Sequence, residues 1–419
     1  MGIAAGHRAP LSGQAYARIT FGAGVVFVAA GLLYFLSAQT FSFVKPPIDA
    51  FGFAVGRDFL NSWMGGRAAF AGGPAAWFDL PAYNAALEAF LGRPHFPLHY
   101  WSYPPHLLLF IWPLGLLPYV AAYVLWCAGG LALYLFAARR GGVEPKHLLF
   151  VAVAPAVAVN VLGGQNGFLT AALLIGGLTN LDRRPVLAGV LFGILTIKPQ
   201  FGMLLPILLV VTGRWRVIAA ATATTAALVV VTAIWFGPDV WLEFFRKVMP
   251  QQHQLIVDAG AGGWPMVLSA FVNAQLVGLP ADGAWLVQGA VSVGAVAMVV
   301  WAFWRPRDPM LAMALFVTAT FLFSPWMLNY DMVVFGWVIA RLRQRPDNAI
   351  TDDILALAVW ILPAAMLPLG AAHVPVAMLV LPAFAGRLIW RLSRGEACAD
   401  DGAASGPASA VAAAHAAAP

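Results

Sequence analysis

Apolar runs follow one another along most of the chain, and short polar stretches carrying arginine separate many of them. A helix needs about 20 apolar residues to cross a hydrocarbon core of ~30 Å at 1.5 Å per residue. Only helices and closed barrels satisfy the backbone in lipid. The first run, 19–38, is long for the apolar part of a signal peptide and reads as an uncleaved helix. Further spans are predicted near 119–138, 147–162, 166–181, 185–197, 199–211, 216–236, 284–304, 309–323, 328–340, 354–370 and 374–390. With the first, that makes about twelve. The pattern predicts an all-α polytopic membrane protein with a membrane domain over 1–395. From Glu396 onward Ala, Gly, Ser and Pro dominate, which predicts a disordered cytoplasmic tail over 396–419.

Basic residues orient the spans, because Lys and Arg favour cytoplasmic loops. Arg8 and Arg18 precede the first run. The clusters at Arg139, Arg140 and Lys146, at Arg183 and Arg184, at Arg214 and Arg216, at Arg305 and Arg307, at Arg341 to Arg345 and at Arg387 to Arg394 all fall inside if 39–117 and 238–283 stay outside. Within 39–117, "PPHLLLFIW" is bounded by Pro104, Pro105 and Pro113, which limits it to an amphipathic half-helix at the outer face.

Composition agrees. Charged residues make up 10% of the 419, against about 25% in soluble domains. The net charge of +6 reads as loop anchoring, and no basic run interleaved with aromatics points to nucleic acid. Cys127 sits in an apolar run and Cys398 in the tail, so neither a disulfide framework nor a thiolate metal site is expected. His95 and His99 are four apart, but Pro94 and Pro97 forbid the helix that would align them on a metal, and His253 reads as a solvated loop residue. No Walker loop, GxSxG, HExxH or CxxC occurs.

With this topology the polar residues that anchor no loop gather at the outer ends of helices. They include Arg57, Asp58, Tyr103, Gln165, Asn166, Lys198, Gln200, Tyr330 and Asp331. Ionisable groups at membrane depth are costly and mark function by default. In "GILTIKPQFG" the flanking runs reach only about 20 Å, which places Lys198 in a recess below the surface. A lysine there needs an anion, either an internal carboxylate or a ligand such as a lipid phosphate. "GGQNGF" by itself reads equally as a hairpin turn.

In order along the chain, "RDF" at 57–59, "AAFAGGPAAWFD" at 68–79, "YPP" at 103–105, "PLGLLP" at 113–118, "GGQNG" at 163–167, "AGVLFGILTIKPQ" at 188–200, "GRWR" at 213–216 and "FSPWMLNYD" at 323–331 resemble glycosyltransferase family 87 of the GT-C membrane superfamily. The last segment departs from the family's pattern: it lacks the histidine that often follows the tryptophan and carries Asn329, Tyr330 and Asp331. The resemblance implies a GT-C fold and a transferase that moves a sugar, typically mannose, from a polyprenyl phosphate to an acceptor hydroxyl with inversion. It implies no cofactor and no obligatory metal, and a bacterial inner-membrane enzyme whose active site faces the periplasm. Its partners would be the bilayer, the lipid-linked sugar and a glycan or glycolipid acceptor. Asp58 matches the family's general base. Lys198, with Arg57, would bind the donor phosphate, and Tyr103, Gln165, Asn166, Gln200, Trp326, Tyr330 and Asp331 would line the substrates. A transporter or flippase of lipid-linked sugars is the alternative, but it favours a midplane site. A ligase-like enzyme would place its chemistry in a late outer loop, where only Arg246, Lys247 and His253 are available.

Overall fold

The computed structural model describes residues 45–404, apart from 50–51, 72, 75–77, 98, 262–263 and 306, and of the preceding chain 19, 22–24, 26 and 38–40. The predicted first span therefore lies largely outside the described residues, as do 405–419 of the predicted tail. Ala38–Thr40 pairs antiparallel with Ile48–Asp49. The first long non-spanning stretch then supplies α1 (Phe59–Ala71), α2 (Leu80–Leu91) and a short apolar segment, Pro105–Leu116.

The bundle follows as α3 (Tyr119–Arg140), α4 (Pro145–Ala152), α5 (Pro155–Gly163), α6 (Gly167–Asn180), α7 (Pro185–Leu195), α8 (Leu205–Val211) and α9 (Trp215–Phe236). The second long stretch holds α10 (Met249–Ala261) and α11 (Ala270–Leu276). The chain then closes with α12 (Ala281–Trp304), α13 (Pro309–Phe323), α14 (Val333–Arg343), α15 (Ile350–Ala371) and α16 (Val376–Ala404). Helix α16 thus carries the chain into the stretch expected to be a tail.

Punctuation in the sequence sets these boundaries. Pro145, Pro155, Pro185 and Pro309 stand in the first turn of their helices, where a missing N–H costs nothing. Asp79, Ser269 and Asp308 accept from the first free backbone N–H groups of α2, α11 and α13. Every span predicted beyond residue 118 is occupied by a helix, a bent pair, or a helix with a short tight-turn segment.

Among the described residues, five helices are long and apolar enough to cross a membrane: α3, α9, α12, α15 and the Val376–Gly395 part of α16. Helices α4 and α5, bent by 52° at the turn before Pro155, make a sixth if counted as one span. Helices α6, α7 and α13 are apolar but shorter. This is a helical membrane protein.

Helices α7 and α9 pack closely through small residues: a β-carbon on Gly189 would lie 2.5 Å from that of Ala220, and one on Gly193 2.5 Å from that of Thr224. Lipid offers no hydrophobic drive between helices, so close van der Waals contact of this kind supplies the attraction.

The basic clusters meet at one end. Arg341 donates to the Gly142 carbonyl at 2.8 Å, Arg345 pairs with Asp308 at 2.6 Å, and Arg387 clasps both oxygens of Asp352 at 2.8 and 2.9 Å. Helices α3, α6, α7 and α14 each carry such a cluster at or just beyond one terminus. Their other termini adjoin Val55, Asn166, Lys198 and Asp331. The polar site is therefore at the opposite end of the bundle. The two long stretches also touch, through Lys247 and Asp79 at 3.3 Å and Gln252 and Ser102 at 3.1 Å.

Candidate active site

Asp58 stands just before α1 on a tight turn, where Gly56 takes φ 81° and Arg57 φ 21°. Phe59, fully buried, is the anchor of this turn; its ring lies 5.5 Å from those of Tyr119 and Tyr123 and 6.3 Å from Trp126. The Tyr119 hydroxyl donates to the Val55 carbonyl at 2.7 Å and fixes the approach. The "RDF" triplet thus has a division of labour: Phe59 is sunk in aromatic rings so that Asp58 and Arg57 remain exposed. Arg57 lies over the Phe53 ring at 4.4 Å.

The loop joining α5 to α6 packs directly onto this turn. Gly164 ends α5 with φ 57°, and a β-carbon there would collide with that of Phe59. Three residues on, a β-carbon on Gly167 would collide with Asn160 and lie 2.7 Å from the Tyr330 carbonyl oxygen. Glycine at both ends therefore wedges the loop between the Asp58 turn and the Tyr330 segment. The Trp126 indole secures it by donating to the carbonyls of Gly164 at 3.0 Å and Gln165 at 3.2 Å. From this loop the Gln165 side-chain NH2 donates a short hydrogen bond to Asp58.

Lys198 occupies the turn after α7, its N–H bonded to the Leu195 carbonyl at 2.9 Å, and is 3% exposed. The anion it needs is Asp331, fully buried, with which it forms a short ion pair. Lys198 also donates to Asn166 Oδ1 at 3.3 Å and sits over the Tyr330 ring at 4.4 Å. The other Asp331 oxygen accepts from the Leu328 N–H at 3.2 Å, and Asn160 donates to the Tyr330 carbonyl at 2.7 Å. Asp58 lies within electrostatic reach of Lys198. Of the two readings open for the lysine, the structure shows the internal carboxylate. An ammonium has three N–H donors, and two are engaged here.

The remaining predicted residues are placed unequally. Tyr103 is half-buried beside the cluster; burial first, then the charges of Asp58 and Asp331, push its hydroxyl pKa above the usual tyrosine range, so it stays a neutral phenol. Trp326 is half-buried, and its indole N–H is enclosed without a hydrogen-bond partner. Gln200 is half-buried and forms no side-chain hydrogen bond to the cluster. His99 bonds the Pro97 carbonyl at 2.7 Å, and His253 stacks on Trp285 at 5.8 Å.

Sequence reasoning missed His106 and Asn160. His106, 3% exposed, contacts the Thr196 hydroxyl at 3.2 Å, two residues before Lys198, and stacks on Trp241 at 5.7 Å. Burial pushes its imidazole down to about 4, so it is neutral at ordinary pH. Its position directly after the "YPP" motif was the available signal.

A family model for glycosyltransferase family 87 matches residues 101–325, more than half of the 419-residue chain. The chain belongs to glycosyltransferase family 87. No curated protein and no solved structure matches it. The family match spans Tyr103, Gln165, Asn166, Lys198 and Gln200, while Asp58 precedes it and Trp326 to Asp331 follow it. As a family 87 protein with several apolar helices, this is a membrane glycosyltransferase.

Proposed function

We propose that the enzyme moves a sugar, mannose being the expected one, from a polyprenyl phosphate to an acceptor hydroxyl, with inversion at the anomeric carbon. Asp58 is the general base and Lys198 the cation for the donor phosphate. The observation that carries this reading is a continuous polar chain: Asp58 to Gln165, Asn166 to Lys198, Lys198 to Asp331. It links exposed Asp58 and recessed Lys198 through two consecutive loop residues. Direct displacement by a hydroxyl needs one carboxylate to take its proton. Asp58 is the accessible one, whereas Asp331 is buried and committed to Lys198.

As the bond to phosphate breaks, negative charge grows on the leaving group. A fixed cation in a low-dielectric recess stabilises that charge more than one in water. Arg57, at the lip, would hold the donor phosphate or the acceptor, and Tyr103, Gln200, Trp326 and Tyr330 would line the sugars. In this reading the fold is GT-C. Helices α6, α7 and α13, the spans predicted at 199–211 and 328–340, and the first predicted span complete about twelve crossings, and the site faces the periplasm of a bacterial inner membrane. The acceptor is a glycan or glycolipid, and no cofactor is required.

The test incubates purified enzyme with a panel of radiolabelled polyprenyl-phosphate sugars and membrane lipids. Labelled product from a lipid-linked donor, inverted by NMR, supports the reading. Turnover of nucleotide sugars instead would sink it.

A further inference from the structure

Two orphaned atoms on the loop between α5 and α6 bear on how the enzyme would keep its substrates apart. Gln165 is 7% exposed and Asn166 4% exposed, and each amide is only half used. Gln165 Oε1 and Asn166 Nδ2 are enclosed without any hydrogen-bond partner. Neither side chain can be turned over to exchange its ends. A carboxylate only accepts, so Gln165 must present nitrogen to Asp58; an ammonium only donates, so Asn166 must present oxygen to Lys198. Unmade hydrogen bonds on buried polar atoms are costly, and such atoms call for an explanation.

The polarity of the leftovers matches the two substrates. At the Asp58 end the spare group is an acceptor, which suits a hydroxyl. At the Lys198 end the spare group is a donor, which suits a phosphate oxygen.

We propose that Gln165 and Asn166 form a two-ended selector: Gln165 fixes Asp58 and accepts from the incoming hydroxyl, while Asn166 steadies Lys198 and donates to the donor phosphate. This rests on the polyprenyl-phosphate reading above and changes the role of both residues from generic substrate lining to substrate sorting. The two glycines flanking the pair hold it in place, since a side chain at either would push the loop off the Asp58 turn or the Tyr330 segment. In the transfer itself, the acceptor oxygen bonds to the anomeric carbon, its proton goes to Asp58, and the bond from carbon to phosphate oxygen breaks with its electron pair leaving on the phosphate.

The test is a kinetic split on detergent-purified, monodisperse enzyme. Asn166→Asp keeps the oxygen that holds Lys198 and removes the spare donor; Gln165→Leu removes both functions of Gln165. Asn166→Asp should raise the donor KM at least 10-fold with little change in acceptor KM, and weaken binding of polyprenyl phosphate measured without acceptor. Gln165→Leu should raise the acceptor KM, leave the donor KM near wild type and lower kcat. A purely structural loop would raise both KM values together or neither in each variant, and that result overturns the proposal. Should Asn166→Asp not be recovered folded, Asn166→Ser supplies the same donor-against-acceptor comparison. If wild type works with lipid-linked donors but the split is missing, the selector alone fails; if wild type uses only nucleotide sugars, the functional reading fails and takes the selector with it.

Discussion

Both ends of the bundle bury charge, but they do it differently. At the basic end Arg343 pairs with Asp353, Arg345 with Asp308 and Asp347, Arg387 with Asp352, and Arg391 with Asp347 and Asp352. Guanidinium forks from α14, the loop after it and α16 grip carboxylates at the starts of α13 and α15, a geometry that Arg provides and Lys does not. At the other end a single ammonium meets a single buried carboxylate, next to amides with unused atoms and a carboxylate left exposed. A network of several guanidiniums and carboxylates ties helices together, although Asp353 Oδ2 and Arg341 Nε there also lack a hydrogen-bond partner. Charge with spare donors and acceptors beside it is what a reacting site needs.

Asp58→Asn should break this comparison most sharply. It removes the proposed base without touching the anchor Phe59, so transfer should fall by about 10³-fold while Tm stays near wild type. A radiolabel transfer assay beside a thermal scan measures both, and near-normal activity would remove Asp58 as the base.

Next comes the lone pair. Lys198→Met leaves Asp331 buried and uncompensated, at a cost of about 3–5 kcal/mol. The double variant Lys198→Met with Asp331→Leu should regain most of that stability, since apolar replacement of a buried pair is often neutral, yet remain inactive. Recovered activity would mean the pair serves packing alone.

The ends should also respond differently to acid. His106 is held near 4 against 6.5 when unperturbed, so protonation is favoured in the unfolded chain. Its full contribution is present above pH 6.5 and is lost as pH falls towards 4, by about 3 kcal/mol at most. Asp347 is shifted in the same direction but loses its support only at lower pH: hydrogen bonding from Arg345 holds its carboxyl well below the usual range, so the basic end keeps that support through the same window. Thermal scans between pH 6.5 and 4 should therefore show a loss of Tm that flattens in His106→Gln. An equal slope in that variant would assign the acid sensitivity elsewhere.

The smallest effect is expected from Arg387→Lys, which trades a two-point clasp on Asp352 for a point charge. Stability should drop by about 1 kcal/mol, with kcat unchanged in the protein that remains folded.

Much of the bundle was legible because its signals are local. Apolar length, prolines at helix starts and arginine clusters act within a few residues, and helices do stand at each span predicted beyond residue 118. Crossing number was less legible, since α6, α7 and α13 are apolar yet shorter than a bilayer core and their placement depends on neighbours. His106 and Asn160 escaped notice for a related reason: a lone histidine or asparagine in an apolar stretch carries no periodic signal, and its importance lies in what packs against it.

The sequence by itself determined an all-helical membrane protein, a bundle with its basic residues grouped, and a short roster of polar residues that includes Asp58, Gln165, Asn166, Lys198 and Asp331. Only the tertiary structure decided how these combine. Asp58 and Gln165 are 107 residues apart, and Lys198 and Asp331 are 133 apart. Pairing at such separations comes from helix packing, which no local propensity encodes. The physical link is the loop at 163–167: two glycines without β-carbons let the backbone slip between the Asp58 turn and the Tyr330 segment, and so link Asp58 and Lys198 to adjacent residues.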